Sequence, residues 1–126
     1  MVHVDNASGK IGEEFTAKLL AKKGYQIVDR NYHSRFGEID IIAKDAKYIV
    51  FVEVKTREEN SMVNPLEAVT PSKQKKIIKT ALLYLQSHKT DLQPRFDVAG
   101  LVTNVNDKTI QSVNYITNAF EGGTTF

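Results

Sequence analysis

The chain has 126 residues, of which 41% are hydrophobic and 25% are charged. This length suits one domain and excludes two, and the composition excludes an intrinsically disordered chain. With no cysteine and a net charge of +2, the sequence excludes disulfides and cysteine-based zinc sites, and the charge alone does not indicate a nucleic-acid partner.

The hydropathy pattern is typical of an intracellular protein. No apolar run approaches the ~18 residues of a membrane span, and residues 1–10 lack the apolar stretch of a secretion signal. We therefore expect a cytoplasmic protein with no membrane partner. It should fold as a single domain over residues 1–126, with flexible tails at 1–8 and 121–126.

The first predicted element is an amphipathic helix. Apolar side chains recur every fourth residue at Ile11, Phe15 and Leu19, a spacing that places them on one helical face. The helix is expected to begin between residues 9 and 11 and to end at Gly24, because glycine commonly terminates helices.

Five strands are predicted from segments rich in β-branched and aromatic residues. They cover residues 25–29, 38–43, 48–55, 95–102 and 109–116, and the polar segments 30–37 and 57–69 are predicted loops. A tight turn at 44–47 should make the second and third strands a hairpin. The third strand lacks polar alternation between Ile49 and Val52, which predicts a position in the middle of the sheet.

A second helix lies between the third and fourth strands. Thr70 is a suitable cap, Pro71 suits the first helical position, and the apolar spacing continues to about His88. The element order is therefore α-β-β-β-α-β-β. It predicts an α/β fold with a central mixed five-stranded sheet flanked by helices, in which the helical crossover allows the third and fourth strands to pair in parallel.

Basic residues are concentrated in two segments. Residues 70–89 contain five lysines and no carboxylate, and residues 30–35 contain two arginines and a histidine. Such clusters are either solvated surface or phosphate contacts beside an acidic centre. The candidates for nucleic-acid contacts are Arg35, Arg57, Lys73 and Lys76; Lys73 stands in the first helical turn, where the helix dipole disfavours a cation.

Charged residues interrupt the apolar third strand. Glu53 and Lys55 share a face with Ile49 and Phe51, because residues two apart on a strand point to the same side. An ionised carboxylate buried without a partner costs several kcal/mol, so Glu53 must be paired, neutralised or coordinated. Lys55 alone would satisfy it, but the hairpin also brings Asp40 close.

Two neighbouring carboxylates repel each other unless a cation lies between them. Mg²⁺ prefers oxygen ligands, is commonly held by one or two carboxylates, and keeps water or phosphate oxygens in its other positions. Asp40 and Glu53 are therefore candidate ligands of Mg²⁺ or Mn²⁺, with Lys55 beside them to stabilise charge on a phosphate. The residues predict a metal-assisted hydrolase of phosphate esters.

Asp40 followed by Glu53 and Lys55 resembles the motif of the PD-(D/E)XK nuclease superfamily, although Ile39 stands where proline would precede the aspartate. The wider pattern is similar to the YraN-like family of bacterial proteins. The matching residues are Gly12, Glu13, Ala17, Gly24, Tyr25, Asn31, 37–40, 50–57, Pro65, Ala68, Val69, Lys73 and 95–98. This resemblance implies a restriction-endonuclease-like fold similar to that of archaeal Holliday-junction resolvases.

The resemblance also implies roles for individual residues. Glu13 matches a helix-borne glutamate that joins the active site, Asp40 the central metal-binding aspartate, and Glu53 and Lys55 the Glu-x-Lys pair. Together these four are the predicted catalytic residues. By analogy with the resolvases, the partner would be DNA, branched or damaged, and the protein would be a homodimer.

Several residues keep two interpretations. Periodicity does not choose between Glu13 and Glu14, and the resemblance alone favours Glu13. Glu38 is either a second metal ligand or the ion-pair partner of Arg35 or Arg57. Asp97 is either an additional site residue or a structural partner of Arg95. Two loop aromatics, Tyr32 and Phe36, would either stack on unpaired bases or anchor the loop.

The function expected from these features is a metal-dependent endonuclease that hydrolyses phosphodiester bonds of DNA. The alternative is a non-catalytic nucleic-acid-binding module that keeps the fold and the basic helix, and a purely structural protein is the third hypothesis. The intact set of Asp40, Glu53 and Lys55 favours the enzyme, because a binding module has no physical need of all three.

Overall fold

The computed structural model describes residues 2–60 and 64–121, with side chains from residue 9 onward. Its elements are α1 (Val2–Lys22), β1 (Gln26–His33), β2 (Glu38–Lys44), β3 (Tyr48–Glu58), α2 (Pro65–Ala68), α3 (Pro71–Ser87), β4 (Gln93–Thr103) and β5 (Ile110–Phe120). The predicted order α-β-β-β-α-β-β is confirmed, with the one-turn helix α2 as an addition. Within the described residues, no helix combines the length and hydropathy needed to cross a membrane.

The sheet is mixed and five-stranded, with the strands in the order β1-β2-β3-β4-β5. β2 pairs antiparallel with both β1 and β3, and β5 pairs antiparallel with β4. β3 and β4 pair in parallel from Tyr48↔Gln93 to Glu58↔Thr103, across the connection that contains α3. The predicted central position of β3 is confirmed, and β3 and β4 adopt the parallel pairing that the helical crossover allows.

Several predicted boundaries were wrong, including the end of β5, which lies at Phe120 rather than at residue 116. α1 begins at Val2 rather than between residues 9 and 11, and no proline precedes Gly9 to stop it. β1 runs through His33, and β3 runs through Glu58, into segments predicted as loops. Their polar residues still form strands because β2 and β4 supply ladder partners for the backbone whatever the side chains are. Met1 and residues 122–126 of the predicted tails lie outside the described residues.

Each face of the sheet packs against a helix. On one face, Phe51 is buried against Tyr84 of α3, with ring centroids 6.0 Å apart, and stacks on Phe96 at 5.5 Å. On the other face, Leu20 of α1 is buried among β-strand residues that include Val52. Burying side chains of this size stabilises the fold by about 1.5–3 kcal/mol each. The two cores hold β3 between the two helices.

The short helix α2 packs closely on β4. A Cβ atom added to Gly100 would lie only 2.1 Å from Pro65 Cγ, so Gly100→Ala must displace the rigid proline ring. We expect this substitution to destabilise the protein by about 1–3 kcal/mol, the usual cost of overpacking. Urea unfolding monitored by circular dichroism measures the change.

Gly9→Ala is the matched control for Gly100→Ala. A Cβ on Gly9 would meet nothing within 4 Å, and Gly9 lies in the interior of α1, where alanine is favoured over glycine by about 1 kcal/mol. The control should therefore raise the unfolding midpoint while Gly100→Ala lowers it. Equal midpoints for both variants would contradict the close packing of α2 on β4.

Candidate active site

The site begins where β2 and β3 separate. Their ladder ends at Ile41↔Val52, and the next hydrogen bond comes from a side chain: Val54 N donates to Asp40 Oδ2 at 2.8 Å. Ile39 and Ile41 contact the cores on opposite faces of the sheet, so the alternation of β2 is interrupted at Asp40. The separation leaves the second half of β3 paired with β4 only.

A cleft of about 440 Å³ fills the space beside this half of β3. α1 forms one wall, and the end of the β4–β5 hairpin closes the far side at Lys108. All four predicted catalytic residues line the cleft: Glu13, Asp40, Glu53 and Lys55. The structure thus brings together residues that are up to 42 positions apart in the chain (55 minus 13).

The carboxylates in the cleft repel one another. Burial raises the pKa of Asp40 to about 8, and the nearby Glu53 and Glu38 add to the rise. Burial and Asp40 likewise raise the pKa of Glu13. Lys55 Nζ lies 3.3 Å from Glu53 Oε2 and offsets the charge of that residue. At neutral pH the folded protein alone therefore favours a protonated Asp40.

The donor atoms of the cleft fit a hard divalent cation held by few protein ligands. Across residues 9–60 and 64–121, no three His, Cys, Asp or Glu side chains are arranged to hold a metal ion. Asp40 and Glu53 offer two carboxylates, which is the number that Mg²⁺ commonly takes before completing its shell with water and phosphate oxygens. Asp40 and Glu53 are therefore the residues of the cleft that could hold such a cation.

Close packing of α1 on β3 places Glu13 in the cleft. A Cβ on Gly12 would lie 2.2 Å from Thr56 Oγ1, so any larger residue there would force the threonine side chain to move. Because successive residues of a helix point in different directions, Glu13 and Glu14 have different surroundings. Glu13 lines the cleft, whereas Glu14 lies on the surface and accepts a hydrogen bond from Arg30 at 2.9 Å.

The loop between β1 and β2 docks on α3. Ser34 Oγ and Thr80 Oγ1 are 2.8 Å apart and share a hydrogen bond. A Cβ on Gly37 would lie 3.5 Å from the Cβ of Lys76. This contact joins the two basic clusters of the sequence, which belong to the loop and to the helix, on one side of the molecule.

Phe36 lies at the centre of this joined surface. The guanidinium of Arg35 is 4.8 Å, and the ammonium of Lys79 5.3 Å, from the centroid of its ring. We call Arg35, Phe36, Lys76 and Lys79 the basic surface. Tyr32, the other aromatic considered for base stacking, instead packs edge-on against a core tyrosine at 5.1 Å.

Lys73 and Arg57 lie closer to the carboxylates than the basic surface does. The neighbouring Lys55 ammonium lowers the pKa of Lys73, and Lys73 Nζ donates to the carbonyl of Ala68 at 3.3 Å. Arg57 lines the cleft itself. Two ammonium groups held side by side repel each other, and an anion such as a phosphate would relieve that repulsion.

Comparison with known proteins places the chain in a protein family. The model of the uncharacterised protein family UPF0102 matches residues 12–101, a span that contains all four predicted catalytic residues. The chain belongs to the UPF0102 family. The resemblance to the YraN-like family is thereby confirmed.

Several UPF0102 proteins match along most of the chain. One from Caldanaerobacter subterraneus subsp. tengcongensis is 45% identical over 113 residues, covering 89% of this chain and 93% of its own. One from Chlorobium phaeobacteroides is 42% identical over 124 residues, covering 95% and 98%. One from Geobacter sulfurreducens is 42% identical over 120 residues, covering 94% and 92%. The similarity therefore spans nearly the whole length of each protein.

In this UPF0102 chain, Asp97 lies apart from the cleft. It is fully buried and accepts two hydrogen bonds from Arg95, at 3.0 and 2.8 Å. Tyr115 donates at 2.6 Å, and the backbone N–H of Asn118 donates at 2.9 Å. These contacts match the interpretation of a structural ion pair and take Asp97 out of the candidate site.

Sequence reasoning gave no role to Asn31, which links two acidic residues of the site. Its amide nitrogen, turned toward the carboxylates, donates to Glu13 Oε1 at 3.2 Å and to Glu38 Oε2 at 3.1 Å. Glu38 also lies 3.7 Å from His33 Nδ1. Asn31 has a φ of 53°, and no periodicity in the sequence signals such a conformation.

Proposed function

We propose that this protein is a DNA endonuclease that uses Mg²⁺ or Mn²⁺ to hydrolyse phosphodiester bonds. One observation carries the proposal: Asp40 and Glu53 line one cleft with Glu13 and Lys55, and their proximity and burial raise the pKa of Asp40 to about 8. A divalent cation bound between the two carboxylates would relieve this repulsion and so give it a use in the proposed reaction.

Each of the four predicted catalytic residues has a role in this proposal. Asp40 and Glu53 would hold the cation, which when bound would lower the pKa of a water and neutralise charge on the phosphate. The Val54 N–H fixes Asp40 in place before any ligand binds. Lys55, 3.3 Å from Glu53, would donate to a phosphate oxygen, and Glu13 would orient the attacking water from the opposite wall.

The cations around the cleft supply the contacts that DNA requires. Arg57 and Lys73 would bind phosphates next to the scissile one, and the basic surface would bind the backbone farther along the strand. Neutralising phosphates with lysine and arginine releases bound counterions, and this release supplies much of the affinity for DNA. Branched DNA and a homodimer are proposed by analogy with the resolvases alone.

Lys76→Ala tests the basic surface. The substitution should weaken DNA binding uniformly across sequences and reduce the slope of log K against log salt concentration by about 0.9, the value of one phosphate contact. Fluorescence anisotropy with a labelled duplex measures both quantities. Lys18→Ala, on the exposed outer side of α1, is the matched control, and an equal change in the control would contradict a specific role for Lys76.

Cleavage assays test the proposed activity directly. The protein is incubated with duplex, nicked, flap and four-way substrates in Mg²⁺ or Mn²⁺, with EDTA as the metal-free reference. Glu53→Gln should abolish cleavage, and Glu14→Gln should not, because Glu14 pairs with Arg30 on the surface. Sedimentation with and without a four-way junction measures the oligomeric state.

The same assays separate the enzyme from a non-catalytic nucleic-acid-binding module. The cations of the basic surface lie on α3 and its docked loop and do not depend on the carboxylates, so a binding module is the second candidate. It would bind DNA without cutting it under any metal condition, and Glu53→Gln would keep or raise its affinity, since a carboxylate repels phosphate.

A further inference from the structure

Asn31 occupies an unusual place in β1. The register Arg30↔Ile41 and Tyr32↔Ile39 puts Asn31 opposite Asp40. Its φ of 53° lies in the left-handed region, which most residues avoid and which asparagine tolerates better than other non-glycine residues. The backbone therefore accepts a local strain at the point where β1 meets the acidic cleft.

The side chain of Asn31 uses both of its N–H groups on carboxylates. One points to Glu13 Oε1 at 3.2 Å and the other to Glu38 Oε2 at 3.1 Å. The opposite amide orientation would turn an oxygen toward these acceptors, so hydrogen bonding selects the nitrogen. Serine offers one such donor and aspartate none, whereas the asparagine amide offers two.

These two hydrogen bonds connect three elements around Asp40. Glu13 is on α1 and Glu38 begins β2, and because both carboxylates lie near Asp40, like charges push them apart. The hydrogen bond from Asn31 lowers the pKa of Glu13, against the effect of burial. The amide thus favours the ionised form of Glu13 and opposes its movement away from the cleft.

We propose that Asn31 is a positioning residue, whose amide holds Glu13 and Glu38 beside the metal-binding carboxylates. This inference rests on the proposed nuclease function. Groups that orient the residues around a metal commonly affect its affinity or the activity by about 10–100-fold when they are removed. Asn31 acts through Glu13 and Glu38 and does not itself contact the substrate.

Asn31→Gly is the decisive variant. Glycine adopts positive φ without strain, so the substitution removes the amide while suiting the backbone conformation. Asn118 on β5 offers a matched control: its φ is 54°, and its backbone N–H, which glycine keeps, donates to the remote Asp97. Asn118→Gly makes the same chemical change far from the cleft.

The readouts are Mn²⁺ affinity, measured by electron paramagnetic resonance without DNA, and kcat and KM for cleavage. Asn31→Gly should lower the Mn²⁺ affinity or kcat by about 10–100-fold and leave KM for DNA near the wild-type value. Asn118→Gly should match the wild type. In a Glu13→Gln background, Asn31→Gly should have a smaller effect, because residues that act through one another are not additive.

The outcomes distinguish this inference from the function on which it rests. If the wild type neither binds Mn²⁺ nor cleaves DNA, the proposed function fails and the inference fails with it. If the wild type does both and Asn31→Gly behaves identically, only the role of Asn31 is overturned. Equal losses in Asn31→Gly and Asn118→Gly would also overturn it, since the cause would then be general to asparagine-to-glycine changes.

Discussion

Asp40→Asn is expected to abolish metal binding and DNA cleavage in a protein that still folds. The asparagine oxygen can accept the hydrogen bond that Val54 N donates to Asp40 at 2.8 Å, so the separation of β2 and β3 is kept. A neutral amide does not supply the charge that holds a divalent cation. Loss of the several kcal/mol that a cation contributes to phosphate hydrolysis corresponds to roughly a 1000-fold lower rate.

Isothermal titration with Mg²⁺ and Mn²⁺ and single-turnover cleavage measure these two losses. Asp45→Asn is the matched control, because Asp45 also accepts backbone hydrogen bonds, from Lys47 and Tyr48 at 2.9 and 2.7 Å, but caps a turn outside the cleft. Wild-type rates in the Asp40→Asn protein would remove the metal from the proposed mechanism.

The strand pattern alone was enough to predict the centre of the site. Charged residues at positions 53 and 55 interrupt an apolar strand, and a short turn brings the neighbouring strand beside it. Alternation fixed the face shared by Glu53 and Phe51, and the hairpin fixed the approach of Asp40. The structure lines one cleft with Asp40 and Glu53, a proximity that the local geometry of strands and turns predicts.

The segment 57–69, which we predicted to be a loop, also contains a capping pattern that indicates a short helix. In α2, Asn64 caps the first turn by accepting from Leu66 N at 2.9 Å, and Glu67 accepts in return from Asn64 N at 3.3 Å. This is the capping-box spacing, with Pro65 at the first helical position. The capping residues therefore predict this helix, although the polar composition of the segment predicts a loop.

Other features of the site depend on tertiary contacts that no local pattern contains. The interruption of β2 at Asp40 requires β3 to continue beyond the ladder, and β3 continues because β4 pairs with it as far as Glu58. The two amide contacts of Asn31 require α1 and β2 to meet around β1. Such arrangements follow from the assembled sheet, so the sequence indicated the candidate metal-binding pair but not the residues that contact its neighbours.

Crowded carboxylates also have a consequence for stability. Burial and the charges of Glu53 and Glu38 disfavour the ionised form of Asp40 in the folded state, whereas the unfolded chain separates these groups in water. The folded protein therefore keeps an electrostatic repulsion that lowers its free energy of unfolding. Replacing Asp40 with a neutral residue should show how much this repulsion lowers the free energy of unfolding.

Asp40→Asn is therefore expected to stabilise the metal-free protein at alkaline pH. The pKa of Asp40 is raised from 3.8 to about 8 on folding, so the folded state binds more protons than the unfolded state between those values. The stability associated with protonated Asp40 is fully present below pH 4 and is lost as the pH rises through 8. An asparagine cannot ionise, so the variant avoids this loss. At pH 9 its free energy of unfolding should exceed that of the wild type by up to roughly 5 kcal/mol.

Urea unfolding of both proteins in EDTA at pH 5 and pH 9 measures the effect, and the advantage of Asp40→Asn should be larger at pH 9. Mg²⁺ should restore stability to the wild type at pH 9 and leave the variant unchanged, because only the wild type keeps both carboxylates. Asp45→Asn should show no alkaline gain, since backbone hydrogen bonds lower the pKa of Asp45, which is then ionised at both pH values. An advantage of Asp40→Asn that is the same at pH 5 and pH 9 would mean that Asp40 is not electrostatically strained, and the main support for a cation at this site would be lost.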